Sequence, residues 1–249
     1  MKRIVLVIIC FIVLGIGGYF GYTYYQKKNV IQKPIVPVKV ALKWLHQAQF
    51  AGNYTALEKG YYRDGGLAVT LMPYDLKTSS IDLVASGTAT FGVAGADELL
   101  VARSKGVPVV ALAVIYQESP VVAYTLKSSG IASVADFKGK RVGYEHSGNI
   151  AMTIDNMIQK GGLNPQRDVV RVPIGFDASS LLNGEVDIAT GYATNEPLTA
   201  IEAGHEVIYI RPSQYGIQDY SDVLFTTERV IQEQSDLVSA FVDASLKGW

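Results

Sequence analysis

Cysteine occurs once in these 249 residues, at Cys10, and nowhere after it. Disulfides within the chain are thereby excluded, and thiol chemistry has no residue to use after Cys10, so stability there has to come from burial and hydrogen bonding. Histidine is almost as scarce. His46, His146 and His205 lie far apart and no two of them have the His-x-x-x-His spacing of a helical metal site. No serine stands in a Gly-x-Ser-x-Gly turn, and there is no Gly-x-x-x-x-Gly-Lys-Ser/Thr phosphate loop. Positive charge is also in short supply after the start of the chain. Of the 22 Lys and Arg residues, Lys2, Arg3, Lys27, Lys28 and Lys33 precede Val38; the other 17 face all 23 acids, a formal charge of −6. That balance suggests no basic patch for nucleic acid.

What the chain has is apolar residues, 49% of the total, in three kinds of pattern. The first is a charge-free run from Ile4 to Gln26, with Lys2 and Arg3 before it and Lys27 and Lys28 after. It is long enough to span a bilayer and longer than the core of a cleaved signal peptide, so residues 1–29 read as a membrane anchor, with a cleaved signal segment as the alternative. Residues 30–37, with Pro34 and Pro37, read as an extended linker. The second pattern is strand alternation. Val38, Val40 and Leu42 alternate with Lys39, Ala41 and Lys43, and the segment continues through Trp44-Leu45-His46-Gln47 into a helix, the Gly65-Gly66 turn and a second strand at Leu67, Val69 and Leu71. This is a βαβ unit, and in a parallel sheet ligands bind at the carboxyl ends of the strands. Trp44, His46, Gln47, Gln49, Phe50, Asn53 and Tyr54 become binding candidates on position alone.

The third pattern is continued alternation of strands and helices to residue 249, which predicts an α/β class with mostly parallel sheets. Val109–Ile115 and Val121–Leu126 are apolar runs broken by Tyr116-Gln117-Glu118-Ser119-Pro120, which places a crossing between two lobes there. Lobe one covers about 38–117 and 212–249, and lobe two about 118–211. Ser133 and Asp136 form a capping box, Glu145-His146-Ser147-Gly148-Asn149 opens a helix, Gly161-Gly162 stops it, and Ser235 caps the final helix.

Four motifs carry a family resemblance over residues 38–249. They are Lys43-Trp44 with Phe50-Ala51-Gly52-Asn53-Tyr54 and Glu58-Lys59-Gly60-Tyr61-Tyr62; Phe91-Gly92-Val93-Ala94-Gly95-Ala96-Asp97; Gly191-Tyr192-Ala193-Thr194-Asn195-Glu196-Pro197; and Asp222-Val223-Leu224-Phe225-Thr226-Thr227-Glu228. The chain resembles the thiamine pyrimidine-precursor-binding (ThiY-like) solute-binding proteins of ABC transporters, departing from them at Asn53, where an aromatic residue is usual. The resemblance implies a two-lobe, periplasmic-binding-protein-like (type II) α/β fold and an extracytoplasmic location. It implies a small heteroaromatic ligand and an ABC permease as partners, and no cofactor. Lobe-one helices normally follow the last segment in that family, so the chain is expected to be truncated at its carboxyl end.

Under that resemblance the ligand-binding residues are expected among Trp44, His46 and Tyr54 after the first strand, Asp97 in a helix start and Ser119 in the crossing. Lobe two would add Glu145 and Ser147 in their loop, with Tyr192, Asn195 and Glu196, and Asp222 stands on the return strand. Trp44 is a stacking surface or a core filler, and His46 a ligand contact or a hydrogen-bonded residue near a helix start. Glu196 is an acceptor for ring amines in the cleft or an acid placed by the dipole of the helix that it opens. Binding is expected rather than catalysis. The fungal pyrimidine synthases of this fold carry a cysteine cluster that is absent here and consume a histidine in the region of His46. A ligand-sensing extracytoplasmic domain of a membrane signalling protein is the alternative.

Overall fold

The computed structural model describes residues 34–145 and 150–249. The anchor reading of Ile4–Gln26 and the expectation for Ser147 fall outside these residues. Among the described residues no helix is long and apolar enough to cross a membrane.

Alternation at period two sets up the first lobe. In β1 (Val36–Ala41), Val38 and Val40 point into one core and Ala41 into another, so both faces of the strand are covered. The chain continues through a 3-10 turn at Ala48–Phe50, helices α1 (Ala51–Glu58) and α2 (Tyr61–Asp64), and β2 (Leu67–Met72). Next come α3 (Ser80–Ala85), β3 (Phe91–Ala94), α4 (Ala96–Ser104) and β4 (Val109–Tyr116). Five strands form one sheet in the order β2-β1-β3-β10-β4, where β10 is Ser221–Thr227. β10 is buried along its whole length, with Leu224 in the core shared with α1, α2 and the final helices, and Val223 and Phe225 in the core shared with α3 and α4. The final helices are α8 (Glu228–Glu233) and α9 (Ser235–Gly248). Phe241 of α9 stacks between Phe91 (3.9 Å between ring centroids) and Tyr62 (5.7 Å).

The second lobe contains β5 (Val121–Leu126), β6 (Arg141–Glu145), α5 (Ile150–Lys160), β7 (Val170–Ile174), α6 (Ser179–Leu182), β8 (Ala189–Tyr192), α7 (Glu196–Glu202) and β9 (Val207–Ile210). Three strands pair in the order β8-β5-β9, and β6 pairs with β7. A bridge between Val142 and Ile188 joins the two groups. α5 lays Ile150, Ile154, Met157 and Ile158 on one face of this layer, and Ala178, Leu181 and Ala200 cover the other.

Three expectations need correction. The sheets are not mostly parallel: β10 runs antiparallel to β3 and β4, and β5 antiparallel to β8 and β9. The reason is topological. β4 leads out of lobe one into β5, and β9 leads back into β10, so the outgoing and returning strands that pair in each lobe point in opposite directions. The first strand begins at Val36 and includes Pro37. β1 meets β3 only at Val40 and Ala41, so the missing N–H of Pro37 breaks no ladder. Ser235 is the first residue of α9 rather than its cap, which is Gln234, and that cap makes no side-chain hydrogen bond.

Candidate interlobe binding site

The carboxyl end of β1 is where the lobes meet. β1 closes at Ala41, and the chain bends through Lys43 and Trp44 toward the 3-10 turn that carries Gln49. Lys43 Nζ donates to Tyr192 Oη at 3.1 Å and lies 3.8 Å from Asp222 Oδ1. Tyr192 ends β8 in lobe two. Its hydroxyl also sits 2.6 Å from Ser221 Oγ and 3.3 Å from Asp222 Oδ1, at the start of β10 in lobe one. Gln49 Nε2 donates to the other oxygen of Asp222 at 3.3 Å, and Gln47 donates to Gln49 Oε1. Asp222 is 1% exposed and holds φ at +52°, a left-handed backbone that a residue with a Cβ adopts at a cost. Such strain persists where the surroundings over-determine it, here through three side-chain partners on one carboxylate.

Aromatic rings border this polar group. Trp44 stacks on Tyr74 at 6.1 Å and meets Phe176, in the lobe-two loop after β7, edge-on at 5.1 Å. Tyr116 meets Tyr192 edge-on at 6.5 Å and donates its hydroxyl to the Gln49 carbonyl.

Burial and charge act against each other in the network. Burial favours the neutral amine of Lys43, but the Tyr192 oxygen and the Asp222 and Glu98 carboxylates outweigh it and hold the ammonium protonated. Burial pushes the Asp222 carboxyl up, against the pull of Lys43. It likewise raises the Tyr192 phenol, which stays neutral. Asp219 is raised by burial and by Asp97 beside it.

The structure brings Tyr192 and Asp222 together and distributes the other expected residues differently. Trp44 stands beside the network and reaches lobe two through Phe176. His46 and Tyr54 form a pair of their own, joined from Nδ1 to Oη, with His46 exposed. Asn195 is the N-cap residue of α7, and its amide donates to Glu196 Oε1 at 2.7 Å. Glu196 is 3% exposed and its Oε2 accepts the Tyr192 backbone N–H at 2.7 Å, so its carboxylate is turned into the loop it belongs to. Asp97 lies in the first turn of α4, and Ser119 Oγ accepts the Val121 N–H in the crossing. Glu145 ends β6, opposite Ile174. Phe50 and Asn53 are interior residues: Phe50 belongs to the lobe-one core, and Asn53 donates to the Tyr62 hydroxyl at 3.3 Å. Sequence reasoning missed Lys43, Ser221, Tyr74 and Phe176 and left Gln49 a positional candidate. The signal for Lys43 was present, a charged residue at the buried end of a strand beside Trp44. For Phe176 none existed.

Two lobes, each a sheet covered on both faces and linked by two crossings, define the α/β fold of the periplasmic solute-binding proteins. It is shared with the alkanesulfonate-binding protein SsuA of Xanthomonas axonopodis bound to MOPS (TM-score 0.65, 15% identity, 86% of this chain and 73% of that one). SsuA of Escherichia coli has it too (TM-score 0.67, 13% identity, 86% and 72%). More particularly, the chain belongs to the NMT1/THI5-like family, whose pattern matches residues 47–249. It is 29% identical over 215 residues to the formylaminopyrimidine-binding protein of Halalkalibacterium halodurans, covering 85% of this chain and 65% of that one. It is 29% identical over 224 residues to the riboflavin-binding protein RibY of Chloroflexus aurantiacus, covering 87% and 62%. A 4-amino-5-hydroxymethyl-2-methylpyrimidine phosphate synthase of Legionella pneumophila is 26% identical over 217 residues, 85% of this chain and 67% of the synthase. The chain thus spans a little under two thirds of the two binding proteins.

Proposed function

We propose that this chain is a solute-binding protein that captures a small heteroaromatic molecule, foremost a thiamine pyrimidine precursor, between its lobes. The observation that carries the reading is the convergence of Lys43 and Asp222 from lobe one on Tyr192 from lobe two, with Gln49 bonded to Asp222. Donors and acceptors from both lobes then meet the edge of one ring, and Trp44, Tyr74 and Phe176 offer aromatic surface to its face. A ligand touching both lobes holds them closed by hinge motion at 117–120 and 211–220. Two relatives, the formylaminopyrimidine-binding protein and the riboflavin-binding protein RibY, are named for nitrogen heteroaromatics. The role is binding rather than catalysis. Some relatives are named synthases, but the cysteine cluster of the fungal synthases is absent here. The complex would serve an ABC permease on the outer face of a membrane, with Ile4–Gln26 as the anchor.

Calorimetric titration of the purified full chain with 4-amino-2-methylpyrimidine and riboflavin tests this. Saturable binding of at least one is expected, weakened roughly tenfold by Trp44→Ala through lost stacking and burial. No binding of either compound would overturn the reading.

A further inference from the structure

We infer that Lys43 and Asp222 set the charge class of the ligand, admitting neutral or cationic ring compounds and rejecting anions. This rests on the assignment of the interlobe cleft as the binding site. The fold alone does not decide the matter, since a protein of the same fold holds MOPS, a sulfonate.

The network holds one ammonium. Lys43 is nearly enclosed, with 11% of its side chain exposed, and it is the group an anionic ligand would need. Its charge is already answered. Asp222 lies 3.8 Å away, and Glu98 adds a second carboxylate within electrostatic reach. Asp219 in turn feels Asp97, Lys43 and Glu98, so acids outnumber the one cation in this region. An anion entering here would compete with Asp222 for Lys43, tend to leave the buried Asp222 carboxylate without its counter-ion, and meet the field of Glu98 as well. A neutral ring with an acceptor and an amino group meets no such opposition. Lys43 can donate to its acceptor, while Asp222 can accept from its amine without losing Gln49, because each carboxylate oxygen has two lone pairs. The left-handed backbone at Asp222 aims this carboxylate while both neighbouring strands, β3 and β4, hold β10 in place.

The test uses ethanesulfonate and 4-amino-2-methylpyrimidine as probes, titrated into the full chain and into Asp222→Asn, Lys43→Gln and the double variant. Asn keeps the shape of Asp and tolerates a left-handed backbone. Asp222→Asn is expected to gain at least about tenfold in ethanesulfonate affinity and to lose aminopyrimidine affinity. The double variant is expected to lose the gained sulfonate binding, because the ammonium has gone. Asp219→Asn, which leaves the Lys43–Tyr192–Asp222 contacts intact, provides a second reading and is expected to gain about twofold for ethanesulfonate. Aminopyrimidine binding by the wild type with no sulfonate gain in either single Asp variant overturns the charge-pair assignment, as does tight sulfonate binding by the wild type. A sulfonate gain in Asp222→Asn while the wild type binds neither ring compound supports the charge pair and refutes the ligand class separately.

Discussion

Replacing Glu196 separates two roles that its position allows. In the structure Glu196 is 3% exposed and its carboxylate takes two hydrogen bonds of 2.7 Å, from the Tyr192 N–H and the Asn195 amide. It also rests on Gly191, where a Cβ would come within 2.5 Å of Oε2, so the loop is shaped around this one side chain. Glu196→Ala removes both bonds and leaves the Tyr192 N–H without its acceptor in the interior. Hydrogen bonds to a charged group contribute about 1.5–3 kcal/mol and an orphaned buried donor costs about 1–3 kcal/mol, so a loss of about 3 kcal/mol is expected. Glu196→Gln keeps an oxygen for Tyr192, and Asn195 can turn its amide to accept from the new one; only the charge assistance goes, about 1 kcal/mol. Urea denaturation followed by circular dichroism measures both, with melting temperature falling by about 2–4 °C per kcal/mol for a chain of this size. Stability unchanged by Glu196→Ala, together with loss of ring-compound binding, would refute the argument and return the carboxylate to the ligand.

Tyr192→Phe should detach lobe two from Lys43, Ser221 and Asp222. About 1–3 kcal/mol of stability should be lost and small-angle scattering should show a larger radius of gyration; an unchanged radius would count against an interlobe tie. Phe241→Ala should cost about 3–5 kcal/mol in the same denaturation assay, since it removes the ring between Phe91 and Tyr62, and a loss below 1 kcal/mol, roughly what one methylene is worth, would contradict the packing. Asp168 pairs with Arg167 and accepts the Asn164 N–H, which lowers its carboxyl to about 2. A depressed carboxylate stabilises the fold above its unfolded value near 4 and loses that effect as pH falls through about 2. The stability gap between wild type and Asp168→Asn should therefore be present at pH 7 and vanish across that window, and a gap independent of pH would sink the assignment.

Local chemistry written in the sequence determined the α/β alternation, the break at Tyr116–Pro120 and the helix stops at glycine pairs. Period two, period 3.6 and turn residues act over a few neighbours, so they can be read without knowing what lies across the molecule. The motifs also pointed to Tyr192 and Asp222, which the structure joins at 3.3 Å. Only the tertiary structure decided strand direction, because antiparallel pairing of β10 with β4 follows from how the chain leaves a lobe and returns. It alone paired Lys43 with Tyr192, 149 residues away, and Gln49 with Asp222, 173 residues away. It also turned Glu196 inward, where sequence position left both its loop and the cleft open. A polar side chain near a sheet edge can face either, and the choice depends on which donors the opposite lobe brings within about 3 Å.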